Sequence, residues 1–210
     1  MAARTTHDSS KDRPILFSVP MVRAVLEGRK TVTRRAVKGA GLKWLEEFTP
    51  EYVANPENGL CPYGKPGDRL WVRETFMDLL GTGIEHRPTP ESAIQRYCYG
   101  ADVRPGSFAD DTRKDMGLKW KPSIHMPRAA CRILLEITAV RVERLQAISR
   151  ADIRAEALEC PPELASDDVS PNYRDGYPKA WRELWESING AESWNSNPWV
   201  WVVEFKRVTP

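Results

Sequence analysis

Two residues of one short motif have the types and spacing of a nucleophile and its base. In Gly28-Arg29-Lys30-Thr31-Val32-Thr33-Arg34-Arg35, Lys30 precedes Thr33 by three positions. Residues three apart on a flat strand face opposite sides, so the two can meet only if the chain turns there. Lys30 is crowded by Arg29, Arg34 and Arg35, and like charges with partial desolvation lower an ammonium pKa. A neutral amine of that kind can take the proton of a threonine hydroxyl and leave a nucleophile. On composition alone the same run also reads as a solvated basic turn.

Two other places carry chemically useful side chains. Arg73 and Glu74 follow the turn Pro66-Gly67-Asp68, and arginine suits bidentate recognition of carboxylate or phosphate groups. The plainer alternative is a strand with a charged outer face. Glu156 lies just beyond Ser149 and Asp152, an S-x-x-D pair that opens a short helix, and a helical glutamate is ordinarily just solvated. His125 stands without a Cys or Asp at catalytic spacing and reads as structural. No Ser-His-Asp or Cys-His signature is present.

The elements that must position these groups follow from periodicity. Pro14–Phe17 reads as a short strand. Ser18 caps a helix with Met21, Val22, Val25 and Leu26 on one face, stopped by Gly28. The basic motif then turns into a strand. Residues 38–66 hold one amphipathic patch (Trp44, Leu45, Phe48) and turn chemistry. In the strand Arg69–Phe76, Leu70 and Val72 share one face and Trp71 and Arg73 the other. Residues 77–119 lack periodicity, apart from a strand near 95–99, and read as an insertion. A long strand runs from Ile133 through Leu135 and Ile137 towards Val142, with a bulge. Residues 159–176 read as loop. The helix Lys179–Ile188 places Trp181, Leu184, Trp185 and Ile188 on one stripe, and Trp199–Arg207 is a closing strand.

Strands and helices do not alternate regularly, so α+β is favoured over a doubly wound sheet. At 210 residues the chain reads as one domain over 14–210, preceded by a disordered tail at 1–13. The net charge of +2 is low for a dedicated duplex binder. Cys61, Cys98, Cys131 and Cys160 are too scattered for a zinc site and read as free thiols. The polar start MAARTTHDSSKDRP lacks the apolar segment of a signal peptide, and no apolar run reaches bilayer length, so a cytoplasmic location without a membrane partner is expected. No G-x-G-x-x-G or Walker loop marks a cofactor, and none is expected.

Taken in order, the basic motif, Lys65–Glu74, Ile137–Leu158 and Trp199–Arg207 resemble the ASCH domain family of the PUA-like superfamily. Ser123–Arg128 and Trp194–Phe205 look like its longer phage and prophage members. The resemblance implies a PUA-like mixed β-barrel with flanking helices and loop insertions. Small bacterial members are amidohydrolases that remove the acyl group from N4-acetylcytidine, using a G-R-K-T-x-T motif. By that resemblance Lys30 is the base, Thr33 the nucleophile and Glu156 the assisting carboxylate, with Arg35 matching a further arginine of the motif. Trp71, Arg73 and Glu74 would contact a modified nucleoside. The alternatives are an RNA-binding module, as PUA-like barrels commonly are, or a metal-independent ribonuclease using Lys30, Arg73 and Glu74. Fold alone does not separate these.

Overall fold

The computed structural model describes residues 12–83, 95–158 and 176–209. Its centre is a five-stranded sheet in the order β1 (Asp12–Leu16), β3 (Arg69–Arg73), β6 (Leu134–Arg144), β7 (Trp199–Val208) and β2 (Val32–Ala36). β1 runs parallel to β3, and all other neighbours are antiparallel. A separate ribbon pairs β4 (Phe76–Asp78) with β5 (Tyr97–Tyr99). The architecture is α+β, as expected.

The expected barrel does not close. β1 and β2 are the two edges of an open sheet, and no ladder joins them. They nevertheless approach one another: Arg35 on β2 donates to the Leu16 carbonyl on β1 at 2.7 Å, and Phe17 packs on Phe205 with ring centroids 6.1 Å apart. Side chains, not backbone pairing, bridge the seam.

Both faces of the sheet are buried, which is why β7 reads as a nearly continuous apolar run. Trp201, Val203 and Phe205 face an inner core with Leu70, Val72, Leu135 and α1 (Val19–Leu26). Val200 and Val202 face an outer layer made by α5 (Arg150–Ala155) and α6 (Gly176–Asn189), with Ile153, Trp181 and Trp185. The bulge in β6 keeps this division consistent. Ile137 pairs with Phe205 and Ala139 with Glu204, so Thr138 is the extra residue. After it the inward parity passes from Leu135 and Ile137 to Val140 and Val142.

Four boundaries depart from the sequence reading. Asp12 and Arg13 belong to β1, so the ordered chain begins within the segment expected as tail; the rest of that tail lies outside the described residues. The strand expected over Arg69–Phe76 is two strands, because Glu74 and Thr75 leave the sheet to pair with Met126 and Gly100. Residues 38–66 fold into α2 (Ala40–Glu47) and α3 (Pro50–Ala54). The 77–119 stretch carries α4 (Phe108–Asp115), a helix with only Asp110 buried and hence no apolar stripe. The loop expected at 159–176 lies outside the described residues, save that Gly176 begins α6. Among the described residues no helix is long and apolar enough to cross a membrane.

Candidate functional site

Lys30 is delivered by a tight exit from α1. Gly28 adopts φ +75°, and the backbone N–H groups of Arg29 and Lys30 both donate to Ala24 O. The following residue, Thr31, donates to Ala155 O at the end of α5 and accepts from Phe205 N on β7. The turn that the Lys30–Thr33 spacing required is therefore present and pinned on two sides. It brings the Lys30 ammonium 2.8 Å from Val32 O, 3.3 Å from Glu156 O and 2.5 Å from Glu156 Oε2. Its three donors are all used, and its side chain is fully buried.

Burial lowers the Lys30 pKa below its ordinary value, against the attraction of Glu156, with Arg35 and then Arg34 adding to the depression. The direction matches the sequence expectation, with desolvation outweighing the crowding by Arg35 and Arg34. Crowding by Arg29 contributes nothing recognisable, because Arg29 turns away to pair with Glu27.

Glu156 is the C-cap residue of α5, and its placement follows from the helix start. Ser149 accepts from Asp152 N, and after two turns the chain exits through Ala157 at φ +66°. The Glu156 carboxylate lies between two cations, Lys30 and Arg34. Arg34 is fully buried and faces Glu143 at 2.7 Å, Asp152 at 3.1 Å and Glu156 at 3.6 Å. Arg34 Nη1 and Glu156 Oε1 form no hydrogen bond at that separation. Partial burial would raise the Asp152 carboxyl, yet Ser149, Arg34 and Arg141 together hold it below the usual range.

Register places Thr33 opposite Val203 and Arg35 opposite Trp201, so both project to the inner face, whereas Arg34 opposite Val202 projects to the outer one. Thr33, Arg35 and Glu156 line one cavity of about 480 Å³ with Trp44, Tyr63 and Trp181. The Thr33 residue is 2% exposed, and among the described residues no group hydrogen-bonds its hydroxyl. Lys30 does not bond to Thr33 directly. It stands behind it, bonded to the carbonyl of the peptide that joins Val32 to Thr33. Lys30 and Arg35 both lie 5.6 Å from the centre of the Phe17 ring. Burial pushes the Tyr63 hydroxyl up, against the pull of Arg35.

Trp71, Arg73 and Glu74 are not among the residues lining that cavity. Trp71 lies between Arg73 at 5.4 Å and Arg128 at 5.7 Å, and Arg73 donates to Ile124 O. Glu74 is 1% exposed and holds Arg132 in a bidentate pair at 2.9 and 3.0 Å. Arg132 in turn holds Asp102 and lies 3.9 Å from the centre of the Tyr99 ring. Glu74 is thus held in a buried pair with Arg132.

Sequence reasoning missed Phe17 and Tyr63 as neighbours of the site, and Glu143 and Asp152 as partners of Arg34. Those partners could have been sought: alternation along β2 separates Arg34 from Thr33 and Arg35, and a buried arginine requires carboxylates. Tyr63 sits in an aperiodic loop and carried no signal. Among the described residues no three His, Cys, Asp or Glu side chains gather as a metal site. Cys61, Cys98 and Cys131 are free, and Cys160 lies outside the described residues. No protein-family model, curated protein or solved structure matches the chain.

Proposed function

We propose that this chain is an ASCH-type, PUA-like amidohydrolase that removes the acyl group from N4-acylated cytidine. One observation carries the proposal: a threonine hydroxyl with no hydrogen-bond partner among the described residues lines the same cavity as Arg35 and Glu156, with a lysine of depressed pKa bonded to Glu156 behind it. Groups whose environment shifts their proton affinity in a cleft are the ordinary currency of acid–base catalysis.

In the resting site Lys30 donates all three of its protons. Passing one to Glu156 Oε2 across 2.5 Å leaves a neutral amine. That amine swings from Val32 O towards the adjoining Thr33 hydroxyl and takes its proton as Oγ1 bonds to the amide carbonyl carbon. When the C–N bond breaks, Lys30 returns the proton to the departing cytosine N4, releasing cytidine. Water then cleaves the Thr33 ester, giving the carboxylic acid and restoring the hydroxyl. Arg35, two residues along the same face, offers N–H groups to the oxygen on which charge develops. Positioned proton transfer accounts for roughly 10²–10⁴-fold of the acceleration.

The test is hydrolysis of N4-acetylcytidine followed by absorbance, with wild type beside Lys30→Met, Thr33→Val and Glu156→Gln. Release of cytidine by wild type alone is expected. An inert wild type would transfer the leading place to RNA binding, which needs no nucleophile.

A further inference from the structure

The 480 Å³ cavity does not end at Arg35 and Glu156. A second cavity of about 570 Å³ lies on their other side and shares both residues with the first, together with Met21, Leu184 and Ile188. Its own walls differ in character. Leu16, Phe17, Pro20, Ala24 and Leu158 line it, with little polar besides hydroxyls of Ser18, Thr75, Ser123 and Ser187. The first cavity instead carries Tyr63, Lys38, Asn189 and the half-buried Trp44, groups that can stack on a base and hydrogen-bond to a sugar.

An amide substrate has two ends of unlike chemistry, a polar nucleoside and an acyl group, joined at the bond to be cleaved. Two unlike cavities meeting at Arg35 and Glu156, with Thr33 lining the first, match that shape. We infer that the Phe17 cavity is an acyl subsite, and that the preferred substrates carry a medium-length or aromatic apolar acyl group in place of acetyl. This rests on the amidohydrolase reading and adds the identity of the acyl group. An acetyl methyl would leave the space along Leu16, Phe17 and Pro20 unfilled. Each further methylene buried there is worth about fourfold in binding.

The bond chemistry is unchanged by this assignment. The acyl carbon is transferred to Thr33 and then to water, and a longer carboxylic acid is released.

The experiment compares kcat/KM for N4-acetylcytidine and N4-hexanoylcytidine in wild type and in Ser187→Trp. Ser187 is exposed on α6, lines only the second cavity, and bonds only to Leu184 O, so its replacement narrows that cavity without disturbing the core. A melting curve checks that the variant folds. Wild type should favour hexanoyl by at least about tenfold, and Ser187→Trp should bring the ratio towards one. Acetyl and hexanoyl substrates cleaved equally well by wild type would overturn the acyl subsite and leave the amidohydrolase intact. So would a preference for hexanoyl that survives Ser187→Trp. Cleavage of neither substrate would remove both.

Discussion

Lys30 Nζ lies 2.5 Å from Glu156 Oε2, with neither side chain more than 4% exposed. One group comes from the exit of α1 and the other from the end of α5, 126 residues later. The pair therefore ties the two ends of the sheet motif together as well as standing at the cavity. Breaking a buried pair by removing one partner leaves an uncompensated charge and costs about 3–5 kcal/mol, whereas replacing both by apolar groups is often neutral. Lys30→Met is expected to fall in that range, and so is Glu156→Leu, because the fully buried Lys30 ammonium then loses its carboxylate while Arg34 keeps two of three. Lys30→Met with Glu156→Leu should be more stable than the sum of the two losses by at least about 1 kcal/mol. Urea unfolding of the four proteins measures this; strict additivity would mean that the two charges do not interact.

Thr33→Val separates chemistry from folding. Among the described residues the hydroxyl has no hydrogen-bond partner, so an isosteric methyl removes no bond. Stability should remain within about 0.5 kcal/mol of wild type. Hydrolysis of N4-acylcytidine should fall to background, because the nucleophile is gone. Retained hydrolysis with Thr33→Val would exclude the acyl-enzyme route.

How much of this was legible beforehand varies with how local the cause is. The S-x-x-D pair Ser149–Asp152, the stripe Trp181, Trp185 and the parity switch in β6 are short-range patterns, and each appears where the sequence placed it. The same capping pattern at Ser107–Asp110 starts α4, yet it went unread because the helix behind it has no apolar face to confirm it. At the site, Lys30 and Thr33 are legible because three residues separate them. That Glu156 meets Lys30 depends on packing between distant segments, and only the family resemblance suggested it. Trp71, Arg73 and Glu74 read as a substrate surface because their charges had no visible partners. Arg132, Arg128 and Ile124, all remote in sequence, supply those partners.

The depressed Lys30 pKa makes a prediction about stability against pH. The unfolded chain holds its lysine protons up to the ordinary 10.5, while folded Lys30 releases its proton at lower pH because of burial. Between those two values the unfolded state binds more protons, so the Lys30 contribution to stability rises as pH increases. Lys30→Met removes this contribution. The difference in unfolding free energy between wild type and Lys30→Met should therefore grow in favour of wild type as pH rises from neutrality towards the ordinary lysine value of 10.5. Chemical denaturation across that range reads it directly, and a difference independent of pH would mean that Lys30 titrates as it does in water.

Gly28 positions the whole basic motif and offers a test that touches no side chain of the site. A Cβ at this position would meet no heavy atom within 4 Å, so the cost of Gly28→Ala is conformational and comes from φ +75° alone. A left-handed non-glycine residue costs roughly 1–2 kcal/mol, which lowers Tm by several degrees in a chain of this size. Gly190, which follows α6 at φ +97° and is likewise free of contacts, provides the matched control. Both variants should lose similar stability. Only Gly28→Ala should also reduce kcat/KM, because the backbone N–H groups of Arg29 and Lys30 share the Ala24 carbonyl one turn away, and strain there is carried to the ammonium. Equal activity in the two variants would show that Lys30 is held by Glu156 and Val32 O regardless of how the chain leaves α1.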